Sequence, residues 1–177
     1  MRKSFFLWLI PLFAWSFPYD SNLLLLGAKL FPKIILMEKS TAGHIQSTVH
    51  LVIVASPSNY DSAQRFSELI EHQYGGALSS YRLKTSLVSP KEALQILDPN
   101  AFVLFVEPTE TLLPSLIEYA NKNKILTFSV DSSLLKRGTA VSLYIGRSVK
   151  PYINLSTIKQ VPFTFEYGFL KLSQPYE

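Results

Sequence analysis

HLVIVASPSNYDSAQRFSELIEHQYGG, residues 50–76, contains a strand and a helix in direct succession. His50 to Ser56 is an unbroken apolar and β-branched run, the pattern of a strand covered on both faces. From Asn59 to Tyr74, Ala63, Phe66, Leu69 and Ile70 recur at helical spacing, and Gly75-Gly76 ends the helix. The same alternation repeats downstream. Arg82 to Val88 (RLKTSLV) reads as a second strand, and Ser89-Pro90-Lys91-Glu92 starts a helix in three ways. Ser89 can cap, Pro90 suits the first turn, and Glu92 can reach back to complete a capping box. Ala101 to Val106 (AFVLFV) is the third strand and the most apolar, which predicts a central place in the sheet. Thr111 to Asn123 carries Leu112, Leu113, Leu116, Ile117 and Ala120 along one side, with Pro114 in a first turn that tolerates it. Ile125 to Val130 (ILTFSV) is the fourth strand, and Ser132 to Lys136 a short helical turn ended by Gly138.

Beyond Gly138 the pattern changes. Ala140 to Ile145 and Pro151 to Leu155 flank Gly146-Arg147-Ser148, a hairpin spacing, and Pro151 suggests that the second arm begins at a sheet edge. The tail from Leu155 to Ser173 predicts a closing helix around Phe165 to Leu172. At the front, Leu23 to Phe31 is an apolar helix capped by Asp20 or Ser21 and interrupted at Pro32; Lys29 and Lys33 argue against a membrane span there. Strand–helix alternation followed by a hairpin predicts a three-layer α/β/α sandwich. Its sheet is mostly parallel and Rossmann-like, with antiparallel C-terminal edge strands.

Residues 1–16, MRKSFFLWLIPLFAWS, have the layout of a secretory signal: a basic head at Arg2-Lys3, an apolar run, and small residues at Ala14 and Ser16. Cleavage after Ser16 is the expectation, leaving residues 17–177 as one domain exported to a periplasm. Formal charge then falls from +4 to +2, because Arg2 and Lys3 leave with the leader. No basic cluster of the kind that follows phosphates remains, so nucleic acid is not an expected partner. The absence of cysteine rules out disulfides, thiol nucleophiles and thiolate metal sites.

In such sheets ligands sit at the carboxyl ends of strands, near the point where strand order reverses. The strand ends offer Ser56, Asn59, Glu107, Thr109, Ser129 and Asp131, with Lys136 and Arg137 nearby for an anionic group. Glu107 and Asp131 end neighbouring strands, so they either approach as an acid/base pair or each cap the turn that follows. Lys136 and Arg137 equally suit the last turn of a helix, where cations complement its C-terminus. No nucleophile motif, phosphate loop or metal-ligand spacing accompanies them; His44, His50 and His72 lack partners at ligand spacing. Neither an enzyme, a cofactor nor a metal is expected.

The C-terminal half resembles the YfiR-like periplasmic proteins. Ile125-Leu126-Thr127-Phe128-Ser129-Val130-Asp131 is similar to that family's "ILT" strand ending in Asp. The turn Leu134 to Gly138, the apolar Val141 to Ile145, Pro151-Tyr152-Ile153-Asn154-Leu155 and the final Phe169-Leu170-Lys171-Leu172 then follow in the family's order. The chain departs from it in having no cysteines and a single Gly138 where Gly-Gly is common. The resemblance implies a non-catalytic regulator that binds and represses a membrane-bound signalling protein, a diguanylate cyclase in the characterised members, and so acts on cyclic-di-GMP signalling and biofilm formation. Phe163, Phe165, Tyr167 and Phe169 are then the expected partner or self-association surface, against a closing helix that buries its aromatics. A homodimer is left open. The alternative function is a small-molecule binding component of a transporter or sensor system, with its ligand over the strand ends.

Overall fold

The structure is a computed structural model describing residues 19–177; the leader reading of residues 1–16 lies outside the described residues. Eight strands form one sheet in the order β2-β3-β1-β4-β5-β6-β7-β8. Their ranges are β1 Thr48–Ala55, β2 Ala77–Leu78, β3 Tyr81–Val88, β4 Ala101–Phe105, β5 Leu126–Ser129, β6 Val141–Ile145, β7 Val149–Asn154 and β8 Gln174–Tyr176. From β3 to β6 neighbouring strands are parallel, with Val52 of β1 opposite both Ser86 of β3 and Phe102 of β4. β2 runs antiparallel to β3, β7 antiparallel to β6, and β8 parallel to β7. This is the expected α/β/α sandwich with antiparallel strands at its C-terminal edge.

Strand alternation sorts the core into two layers. Val49, Leu51 and Ile53 of β1 and Val103 and Phe105 of β4 face one side. There they meet α1 (Ser21–Met37) and α3 (Tyr60–Tyr74). Val52, Val54, Phe102 and Leu104 face the other side, among Leu113, Leu116 and Ala120 of α5 (Leu113–Lys122) and Ala93 of the short α4 (Pro90–Ala93). The capping box at Ser89 and Glu92 forms as the sequence predicts.

Four local readings need correction. α1 runs through Pro32 to Met37 instead of breaking there. Its buried stripe, Leu24, Ala28, Phe31, Ile34 and Ile35, continues on both sides of the proline, and that packing outweighs the ~3 kcal/mol an internal proline costs. Pro151 lies inside β7 and not at its start; β8 pairs only from Tyr152 onward, so Pro151 has a strand neighbour on one side alone. The tail forms two helices, α6 (Leu155–Gln160) and α7 (Tyr167–Leu172), before β8.

The fourth correction concerns the aromatic tail. Phe163, Phe165 and Phe169 are buried in the α1/α3 layer, so they are core and not a docking surface; Tyr167 alone is exposed, at 80%. The tail is drawn in by Glu38, a fully buried carboxylate between α1 and α2 (Lys39–His44). It accepts from the Ser40 hydroxyl at 2.7 Å, from Thr41 N at 2.6 Å and from Thr164 N at 2.7 Å. Lys39 N donates to Thr164 O and Glu166 N to Met37 O, completing the seam. Burial alone would raise the Glu38 pKa; the hydrogen bonds from Thr41, Ser40 and Thr164 outweigh it and lower the value. Among the described residues no helix is long and apolar enough to cross a membrane.

Candidate functional site

β3 lies on one side of β1 and β4 on the other, so strand order reverses at β1. Asn59 follows β1 and Glu107 follows β4, and the Asn59 amide donates to Glu107 Oε1 at 3.1 Å across that gap. Beside this bridge opens a cleft of about 270 Å³. Asn59, Glu107, Val130 and Asp131 line it from the strand ends. Tyr19, Asp20 and Leu23 line it from the start of α1, together with Ser132 and Ile145.

Three carboxylates line the cleft, each oriented by a local hydrogen bond. Asp20 Oδ1 caps α1 through Asn22 N at 2.8 Å, and Asp131 Oδ1 caps the 3-10 turn Ser132–Arg137 through Ser133 N at 2.8 Å. Glu107 is fixed by Asn59, itself 2% exposed and also donating to Ser56 Oγ at 3.2 Å. Each carboxylate thus keeps an oxygen for a ligand. Among the described residues no three His, Asp or Glu side chains gather as metal ligands would, so these groups surround a space without converging on one point. Tyr19 packs edge-on against Phe105 with ring centroids 5.3 Å apart. Burial, then the charges of Asp131 and Glu107, push its phenol pKa upward, which keeps the hydroxyl a neutral donor.

Of the sequence candidates, the structure brings Asn59, Glu107 and Asp131 to the cleft and leaves the others outside it. Ser56 is 4% exposed and holds the loop beneath, paired with Ser58 and Asn59. Ser129 is fully buried, its hydroxyl donating to Asp131 O at 2.9 Å. Its side chain alternates with Phe128, so it turns to the α5 side of the sheet. Thr109 is exposed on the loop after β4 and does not line the cleft. Lys136 and Arg137 are exposed in the last turn before Gly138 and are not among the residues that line the cleft. Glu107 and Asp131 do line one cavity, yet Asp131 caps a turn and Glu107 is held by an amide, the arrangement of fixed charges.

Sequence reasoning missed Tyr19, Asp20 as a lining group, and Ile145. Asp20 carried a signal, since its N-cap role places it at a helix start, but nothing local shows that α1 begins over the strand ends.

A second, larger hollow of about 720 Å³ lies at the opposite rim, where strands begin. Ser40, His44, Asp98, Asn100, Asn123 and Lys124 are among its lining residues.

No family model matches the chain, and no similar curated protein is found. Solved structures share its fold. A conserved domain protein from Vibrio cholerae superposes with a TM-score of 0.59 at 13% identity, over 87% of this chain and 60% of that one. An ABC domain from Streptococcus pneumonia, solved in complex with L-Trp, gives 0.53 at 13% identity, over 82% of this chain and 61% of that one. The chain therefore spans about three-fifths of either neighbour. At this identity the likeness establishes the α/β/α fold.

Proposed function

We propose that this protein binds a small, positively charged organic ligand in the strand-end cleft and does not transform it. The observation that carries the reading is the composition of that cleft. Asp20, Glu107 and Asp131 line it, and no Lys, Arg or His does. The three charges together attract an ammonium group, which can donate to the carboxylates it reaches, and the Tyr19 phenol and the side chains of Leu23, Val130 and Ile145 suit an apolar or aromatic remainder. The neighbour solved with L-Trp, a ligand carrying an ammonium group, supports the same use of the fold. This reverses the order of the two sequence-based expectations and replaces the anionic ligand imagined for Lys136 and Arg137. Calorimetric titration with tryptamine, and with indole-3-acetate as the anionic counterpart, tests it. Tryptamine should bind in preference, and the Glu107→Gln/Asp131→Asn double variant should lose that binding. A preference for the anion, or indifference to the double substitution, would refute the reading.

A second reading is supported by exposed apolar residues on α7: Tyr167 at 80%, Leu172 at 71% and Leu170 at 44%. They would form the contact with a membrane-bound signalling partner, a diguanylate cyclase if the YfiR-like resemblance holds, after export to the periplasm. Tagged protein should then co-purify such a partner from detergent-solubilised inner membrane, and Tyr167→Ala/Leu172→Ala should release it. Equal recovery with both proteins would remove α7 from consideration.

A further inference from the structure

The β6–β7 hairpin overhangs the cleft. β5 pairs with β6 at Phe128↔Val141 only, and the Ser142 hydroxyl reaches back to Ser129 O at 2.8 Å. Beyond that point β6 has β7 as its sole strand neighbour, through Leu143↔Pro151, Tyr144↔Lys150 and Ile145↔Val149. The projecting end is solvated: Tyr144 is 37% and Ile145 61% exposed, although Ile145 also lines the cleft. The loop at its tip is loosely closed, with one long backbone bond from Gly146 N to Ser148 O at 3.4 Å.

Two residues past Ile145 stands Arg147, exposed and without a hydrogen bond or ion pair among the described residues. Arg147 sits in the Gly146–Ser148 bend that joins β6 to β7, and two residues of chain span at most about 7 Å from Ile145. That distance lies within the length of an extended arginine side chain. The cleft holds carboxylates and no cation, and the nearest free guanidinium along the chain is on the element that overhangs it.

We propose that the β6–β7 hairpin is a flap that closes on the ligand, with Arg147 binding a carboxylate on the molecule whose ammonium group rests among Glu107, Asp131 and Asp20. The ligand class is then a zwitterionic α-amino acid and not a simple amine. This inference rests on the strand-end cleft being the ligand site. Closure would cover the cleft with Ile145 and complete the charge pattern in one movement, and a guanidinium is the cation best matched to a carboxylate because it can donate two parallel hydrogen bonds.

The test compares L-tryptophan with tryptamine, which lacks the carboxylate, by calorimetry on wild type and on Arg147→Ala and Arg147→Lys. Arg147 is exposed, so both variants should keep the wild-type melting temperature. The expected result is that wild type prefers L-tryptophan and that Arg147→Ala weakens it about tenfold or more, leaving tryptamine unchanged, with Arg147→Lys in between. Equal affinity of wild type and Arg147→Ala for L-tryptophan overturns the flap and leaves the cleft standing. Failure of wild type to bind either compound overturns both.

Discussion

The two rims of the sheet differ in the opposite sense from their sizes. The hollow where strands begin measures about 720 Å³ and the cleft where they end about 270 Å³. In the larger one, however, several of the polar groups are occupied by the fold itself. Asn100 Oδ1 accepts from His50 N at 2.7 Å, Asn123 donates to Tyr119 O at 2.8 Å, and the Tyr119 hydroxyl donates to Ile96 O at 3.1 Å. Ser40 and Thr41 serve Glu38. In the smaller cleft one oxygen of each carboxylate is held, that of Asp20 by Asn22 N and Leu23 N, that of Asp131 by Ser133 N and that of Glu107 by the Asn59 amide, and the other keeps acceptor capacity. Volume therefore does not nominate the binding site. Uncommitted, pre-oriented polar groups at the switch point do.

The largest contrast between the rims should appear in binding. Glu107→Gln/Asp131→Asn removes two charges while amide oxygens can still accept from Asn59 and Ser133, so the fold should survive. Affinity for a cationic probe should fall about a hundredfold, ~2.7 kcal/mol. A titration in which the double variant matches wild type would transfer attention to the larger hollow.

Glu38→Gln should separate the rims next, through stability. It places an amide donor among Thr41 N, Thr164 N and the Ser40 hydroxyl, costing about 2 kcal/mol and roughly 4–8 °C in melting temperature, with probe affinity unchanged. The pH dependence has a definite sign. The folded Glu38 pKa is depressed below its ordinary 4.5, so its stabilising effect is complete above that value and is lost as pH falls through the depressed one. Thermal unfolding from pH 7 to pH 3 should show a wild-type decline below 4.5 that is shallower in the glutamine variant. Parallel curves would exclude Glu38 as its source.

The layer order was legible because β4 and the Leu51 to Ala55 stretch of β1 are fully apolar runs and α3 and α5 carry clear helical stripes. The strand ends followed, and with them Asn59, Glu107 and Asp131. β2 and β8 were not legible, since two or three residues show no period. The tail was misjudged because an aromatic run looks the same whether it faces solvent or folds inward. What decides it is Glu38, 126 residues from Thr164 in sequence. Tyr19 and Ile145 reach the cleft through packing of α1 and overhang of β6, and neither leaves a local pattern.

Asn100→Ala gives a smaller stability effect at the large rim. His50 N loses its acceptor at a half-buried position, a cost of about 1–2 kcal/mol readable by urea unfolding, again with probe binding intact. Any loss of probe affinity in this variant would show that the two rims are coupled, or that the hollow is the site.

The smallest effect has the opposite sign. Lys124 has φ 55°, directly after the C-cap of α5, and the bonds around it form a Schellman motif: Ile125 N to Ala120 O at 2.8 Å and Lys124 N to Asn121 O at 3.3 Å. An L side chain is disfavoured there and glycine is not, so Lys124→Gly should stabilise the protein by about 0.5–1 kcal/mol. Were the strained lysine kept because its charge holds an anion in the hollow, relief of strain would come with lost binding of an anionic probe such as indole-3-acetate. If the hollow is structural, the variant gains stability and loses nothing, and the left-handed lysine is only a helix end that lacks its glycine.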